Sequence, residues 1–268
     1  MTMALFMSMN RRLFSVVMPA ILSQIVLMMM ETVSMIFVGR LNNNFATAGV
    51  GLGIIYVNCT TQSTLTGLNN AISVLVAVAY GKKDIAECQR ILHRGRILCF
   101  ICYIPLFFVE MMCFPALVAV GVEPEVADYA QSFSLFLYFA MGFHMQFDCY
   151  RQYLNATNQS TVVQYAVSST LLIHLVTCYV LTIHLDCGVT GVAAATMVTC
   201  ALNMTFLMCY SAFKLDCRVA LLPSNVKSLL RASDLKVYLG ISGPSIIMLC
   251  AEWWAYEALT LMATLINV

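Results

Sequence analysis

Two glutamates, two tryptophans and a tyrosine fall inside one otherwise apolar stretch, Ile247–Leu261. A carboxylate at membrane depth costs about 2.5–3.5 kcal/mol on insertion scales, so a pair of them there asks for a function. On a helix Glu252 and Tyr256 share a face, as do Trp253 and Glu257. The glutamates themselves stand roughly 140° apart around the axis, so a straight helix cannot aim both at one ligand. Aromatic faces beside an ionisable carboxylate suit an organic cation. A buried carboxyl whose affinity for protons is raised by desolvation suits a proton carrier. The plainer alternative is a hydrogen bond from either glutamate to a neighbouring helix, the kind of polar glue membrane bundles use.

Other chemistry-bearing residues are scattered through apolar runs. Gln24 and Glu31 interrupt the first such run, and His174 sits in the middle of a later one, where it reads as a packed or cavity-lining histidine with a proton relay as the lesser option. Asp148 and Arg151 share a helical face and are expected to pair at a membrane edge. Glu110 is expected to reach the headgroups from the outer half of its span. Cys99 and Cys102 have the spacing of a redox or metal pair, yet no second pair accompanies them, so they read as small hydrophobes. Of four Asn-x-Ser/Thr sequons, at Asn58, Asn155, Asn158 and Asn203, none falls on a segment expected outside.

The elements that must hold these groups are membrane helices. Of the 268 residues 61% are hydrophobic and 10% charged, against about 25% charged in soluble domains. The first apolar run is longer than a cleavable signal's core and is expected to stay as an anchor. Apolar runs predict seven spans, over 13–38, 46–80, 97–120, 129–150, 162–185, 189–213 and 237–268. The second is long enough to overshoot a hydrocarbon core of about 30 Å, and its Asn-, Thr-, Ser- and Gln-rich middle must face protein or water. Gly49, Gly51 and Gly53 at its start invite close helix packing, as do Gly191 and Ala193–Ala195 in the sixth. Gly240, Gly243 and Pro244 mark an expected kink in the seventh.

Lysine and arginine set the orientation. With the amino terminus inside, the tail (Met1–Arg12), the charged loop 81–96, Arg151 and the basic linker 214–236 together carry 13 of the 14 basic residues, and only Arg40 lies outside. That bias opposes a seven-helix receptor, which needs its amino terminus outside. An intramembrane enzyme is disfavoured because Gly-x-Ser-x-Gly, His-Glu-x-x-His and paired aspartates at membrane depth are all missing.

Spans one and seven begin alike. Arg12 and Lys236 stand at the inner edge, Pro19 and Pro244 follow, then an aliphatic pair; Glu31 lies 12 residues past the first proline and Glu257 lies 13 past the second. That is a pattern of parallel six-span repeats. Pro19-x4-Gln24, Phe37-Val-Gly39-Arg-Leu, Gly67-Leu-Asn-Asn-Ala71 with Ala79-Tyr-Gly81, Gln89-Arg90, Val120–Ala127, Tyr150-Arg-Gln-Tyr-Leu154 and above all Glu252-Trp-Trp-Ala-Tyr-Glu257 resemble the eukaryotic branch of the multidrug and toxic compound extrusion (MATE) transporters along nearly the whole chain.

The resemblance implies an all-α polytopic membrane protein: a first six-helix lobe (1–213), a basic cytoplasmic linker (214–236) and the first helix of a second lobe (237–268). It implies export of organic cations or other amphiphiles in exchange for protons, sodium being the alternative coupling ion, with no cofactor and no enzymatic step. The helix-seven glutamates needed for transport fall on Glu252 and Glu257, with Tyr256, Trp253, Gln24 and Glu31 as companion substrate- and proton-binding residues. Where bacterial relatives have an aspartate in helix one this chain has Ser34, and Glu31 one turn earlier is its candidate substitute. Ala77-Val78 and Ser73 also depart from the family's usual Gly-Gln and acidic residue. The family fold needs twelve helices, so the expected partners are the bilayer, a small cationic substrate and the missing helices of the second lobe; no nucleic acid is expected. The sequence reads as an N-terminal portion or a truncated, non-transporting relative in a plasma or vacuolar-type membrane. The nearest rival is a lipid or metabolite flippase of a related superfamily.

Overall fold

The computed structural model describes residues 2–41, 43–214 and 229–266, and the side chains within them except those of 2–13, 15–16, 214, 257–258 and 260–266. The described residues form long helices and no strand. They are α1 (Thr2–Gly39), α2 (Asn44–Val57), α3 (Ser63–Gly81), α4 (Ile85–Glu110), α5 (Cys113–Ala119), α6 (Pro124–Ala156), α7 (Ser160–Tyr179), α8 (Gly188–Lys214) and α9 (Ala232–Ile266). Two π-helical turns continue helices rather than end them: Asn58–Gln62 joins α2 to α3, and Val180–His184 extends α7.

Six of these segments are long and apolar enough to cross a membrane: Val17–Gly39, Asn44–Gly81, Ile85–Glu110, Ser160–His184, Gly188–Phe213 and Ala232–Tyr256. The seventh long helix, α6, is more polar: Gln131, His144 and Gln146 interrupt its apolar run, and Asp148 and Arg151 follow. Large apolar side chains such as Phe100, Phe108, Leu172 and Val176 stand on the outer surface. A bilayer solvates such groups, so the seven-span polytopic reading holds.

Several expected boundaries move. The segment read as a tail, Met1–Arg12, is helical from Thr2 onward as part of α1. The charged loop 81–96 shrinks to Lys82–Asp84, because Asp84 accepts a hydrogen bond from the backbone N–H of Glu87 at 2.9 Å and so starts α4 eleven residues ahead of Arg96. Arg94 is consequently buried: its Nε donates to the Leu229 carbonyl and its guanidinium pairs with Asp234, both at 2.8 Å, tying the start of α9 to α4. The third span breaks at Met111–Met112. There the Gln131 side chain donates to the Glu110 carbonyl (3.0 Å) and accepts from the Phe114 N–H (2.9 Å), satisfying groups that a broken helix would orphan. The expected turn at Asp186–Gly188 is present, with both residues at positive φ. α9 runs through Pro244 as one helix.

Glycine sets the closest approaches. A Cβ on Gly49 would come within 2.4 Å of Tyr129 Cβ, and one on Gly53 within 2.9 Å of the Ala130 carbonyl, so α2 lies backbone to backbone on α6. Gly51 faces the other way and takes no part. α8 covers another side of α6, α1 pairs with α7, and α9 lies along α3. At that last contact a Cβ on Gly67 would sit 2.6 Å from Ile246 Cα. The buried core divides in two: one cluster around Leu68, Ile72, Leu92 and Phe147, the other around Val38, Val50, Ala140 and Ala193.

Candidate functional site

Between these two clusters lies a cavity of about 520 Å³. α1 contributes Gln24, Glu31 and Ser34 to its wall; the π-turn and α3 contribute Asn58, Gln62 and Thr66; α9 contributes Glu252, Trp253 and Tyr256. Five of the six residues singled out beforehand as binding candidates are therefore cavity neighbours, and so is the Ser34 position. The sixth, Glu257, lies on α9 with its side chain outside the described residues. Glu252, Glu31 and Gln24 are all exposed to this space, whose remaining lining is largely Leu, Ile, Met and Phe.

The polar middle of the second span explains itself here. A π-turn adds one residue to a helical circuit and swings the following side chains round the axis. Asn58 and Gln62, at its two ends, face the cavity. Thr60 and Thr61, between them, face Glu110 on the opposite side. The Cys59 carbonyl, which the irregular turn leaves accessible, accepts from Trp254 Nε1 of α9 at 3.0 Å.

Glu110 is the expectation the structure overturns. It is fully buried rather than at the headgroups: the two threonine hydroxyls reach its Oε1, and Gln131 of α6 donates to its backbone carbonyl. Asp148 and Arg151 pair as anticipated, but within a larger network. Asp148 also accepts from Asn69 Nδ2 (2.8 Å), while Arg151 Nη1 donates to Gln24 Oε1 (2.9 Å) on the cavity wall. A cation at the cavity edge is thus neutralised by a carboxylate behind it, and Gln24 is held with its amide nitrogen available.

His174 also has a defined setting. Thr199 lies 2.9 Å from Nδ1, with its hydroxyl also 2.8 Å from the Ala195 carbonyl. Ser34 lies 3.1 Å from Nε2, so both ring nitrogens are hydrogen-bonded. The ring joins α1, α7 and α8 at the cavity wall. Cys99 and Cys149 both point their thiols at Asn69 Oδ1, at 3.1 and 3.3 Å, which fits the packing role expected for Cys99.

Residues that sequence reasoning missed are Trp254, Thr199 and Asn203, which line or brace the site. Trp254 was adjacent to the singled-out residues but on another helical face. Thr199 and Asn203 stand four apart on α8, a polar i,i+4 stripe that could have been read from the sequence.

A family model described as MatE matches residues 19–180, more than half of the chain. The chain is similar to Protein DETOXIFICATION 48 of Arabidopsis thaliana, 29% identical over 237 residues, which make up 87% of this chain and 43% of that protein. It is similar to Multidrug and toxin extrusion protein 1 of Danio rerio, 27% identical over 251 residues, covering 93% of this chain and 42% of that one. Among solved structures, the eukaryotic MATE transporter AtDTX14 superimposes with a TM-score of 0.88 at 24% identity, over 96% of this chain and 56% of that chain. A transporter of the MOP superfamily from Pyrococcus furiosus gives 0.76 at 18% identity, over 89% and 52%. These two structures speak to fold. The chain spans less than half the length of the curated relatives it matches.

Proposed function

The chain belongs to the MATE family of transporters, and from that premise we propose that it is the N-terminal part of a secondary exporter that exchanges organic cations for protons across a membrane. One observation carries the reading: the Glu252 carboxylate and the faces of Trp253 and Tyr256, all from α9, open onto the same cavity as Glu31 and Gln24 of α1. Carboxylate and aromatic face together attract an organic cation, while the apolar remainder of the wall accommodates its hydrocarbon body.

Exchange needs no covalent step. A proton and a substrate cation compete for one negative charge at Glu252. Protonation from the acidic side releases the cation there; loss of the proton on the other side restores the charge that binds the next one. Only differential affinity for the two access states converts this competition into net flow. Tyr256, on the same face one turn on, is suited to orient the carboxylate. Glu257 is a second carrier on the same helix. Gln24, braced by Arg151, offers an uncharged polar contact that does not compete for protons. Division into a lobe of residues 1–213, a cytoplasmic linker and a first second-lobe helix belongs to the same proposal, as does an amino terminus on the cytoplasmic side.

The test uses vesicles holding the product of the complete reading frame, loaded with a fluorescent organic cation under an imposed pH gradient. Efflux should follow the gradient. Glu252→Gln should reach the membrane and lose gradient-driven efflux, whereas Glu252→Asp should keep part of it. A Glu252→Gln protein with normal rate and pH dependence would return Glu252 to a packing role.

A further inference from the structure

Glu110 lies outside the cavity, is fully buried, and has no counter-ion among the described residues. Its Oε1 meets the hydroxyls of Thr60 (2.7 Å) and Thr61, and its Oε2 has no hydrogen-bond partner. The titratable groups facing it are Tyr56 from α2, Tyr103 from its own helix, Cys113 from α5 and Tyr138 from α6, none of which is a cation.

Counting hydrogens makes the arrangement specific. Thr60 Oγ1 is 2.6 Å from the Tyr56 carbonyl and 2.7 Å from Glu110 Oε1, but a hydroxyl has one hydrogen to give. If Glu110 is ionised, Thr60 and Thr61 both donate to Oε1, the Tyr56 carbonyl loses the Thr60 hydroxyl, and a buried charge is left with a bare Oε2. If Glu110 carries a proton on Oε1, it donates to Thr60, Thr60 donates to Tyr56, and Thr61 donates to Glu110. Every hydrogen then has an acceptor and no unpaired charge is buried. The threonines belong to the π-turn whose other side presents Asn58 and Gln62 to the cavity and whose Cys59 carbonyl receives Trp254.

We propose that Glu110 is a second proton-binding site, separate from the cavity carboxylates, and that its proton sets the hydrogen bonding of the π-turn Asn58–Gln62. With the proton bound, the turn holds the observed geometry. Loss of the proton draws Thr60 from the Tyr56 carbonyl to the carboxylate and displaces the turn, and with it the Asn58 and Gln62 side chains and the contact to Trp254. What the proton accomplishes in transport rests on the antiport reading above; the site and its switch do not.

The test reads proton binding and the turn directly, in the purified product of the complete reading frame. Infrared difference spectra between acid and alkaline pH should contain a protonated-carboxyl band that survives Glu252→Gln and is missing from Glu110→Gln. With Trp253→Phe, and any tryptophan beyond residue 268 also replaced by phenylalanine, Trp254 reports alone, and its emission should shift over the same pH range as that band. Thr60→Val should keep the band and lose the emission shift, because the acid remains while the exchanged hydroxyl is gone; this variant carries the test if Glu110→Gln does not fold. An unchanged band in Glu110→Gln, or an emission shift that persists in Thr60→Val, overturns the proposal. A wild-type protein that shows the band but exports no cation would overturn the antiport reading alone.

Discussion

Asp148 shows how charge is kept at membrane depth. It is almost wholly buried, ion-paired with Arg151 and bonded to Asn69, and its pairing leaves the arginine free to brace Gln24 at the cavity. Removing one partner of a buried pair costs about 3–5 kcal/mol, because the survivor keeps its desolvation penalty. Arg151 retains some contact with the cavity, which places Asp148→Asn near the lower end of that range. Thermal unfolding in detergent should show a clear fall in Tm for Asp148→Asn, and an unchanged Tm would mean that the buried pair does not help to hold α6 in the bundle. The i,i+3 spacing made this pair legible from sequence. Glu110 was not legible, since its fate depends on threonines some fifty positions upstream and on Gln131 of α6. No local pattern carries that information.

Among the elements, α9 is the one whose placement matters most, because it brings Glu252 to the cavity. Its docking on α3 rests on Gly67, the contact between Ser63 Oγ and Cys250 Sγ (3.4 Å), the Tyr238 hydroxyl on the Leu68 carbonyl (3.0 Å), and the Asn70–Ser245 bond (3.0 Å). Overpacking a contact of this kind costs about 1–3 kcal/mol. Ser63→Cys should therefore form a disulfide with Cys250 under mild oxidation, and adding Gly67→Leu should abolish it by lifting α9 from α3; efficient cross-linking in the double variant would contradict this packing. Helix existence was readable from apolar run length. Helix ends were less so: the basic residues of 81–96 looked like a loop because their charge outweighed the Asp84 cap, and only tertiary partners for Arg94 make burial there tolerable. The π-turn was visible only as a run of Asn, Thr, Ser and Gln too polar for lipid.

At the scale of the molecule, the described residues supply six apolar spans and the long helix α6, and a cavity of about 520 Å³ to which α9, itself little buried, contributes one wall. In the sequence, 13 of the 14 basic residues fall in segments on one side of the expected topology, so that side is expected in the cytoplasm. An impermeant amine reagent applied to intact cells should leave Lys82 and Lys83 unmodified and label them after permeabilisation; labelling from outside would invert the orientation. The family resemblance was legible because its most specific string, Glu252–Glu257, is contiguous, whereas the convergence of α1, the second span and α9 on one cavity is a property of packing.

The claim that matters most is that a proton and a substrate cation share Glu252. Adding an organic cation to the purified protein of the complete reading frame in weakly buffered solution, with a pH-indicating dye, reads this without any transport step. Binding should release protons near the pH at which the carboxyl is half loaded. Glu252→Gln should lose most of that release. Cation binding of undiminished affinity with no proton release from the wild-type protein would contradict the shared site.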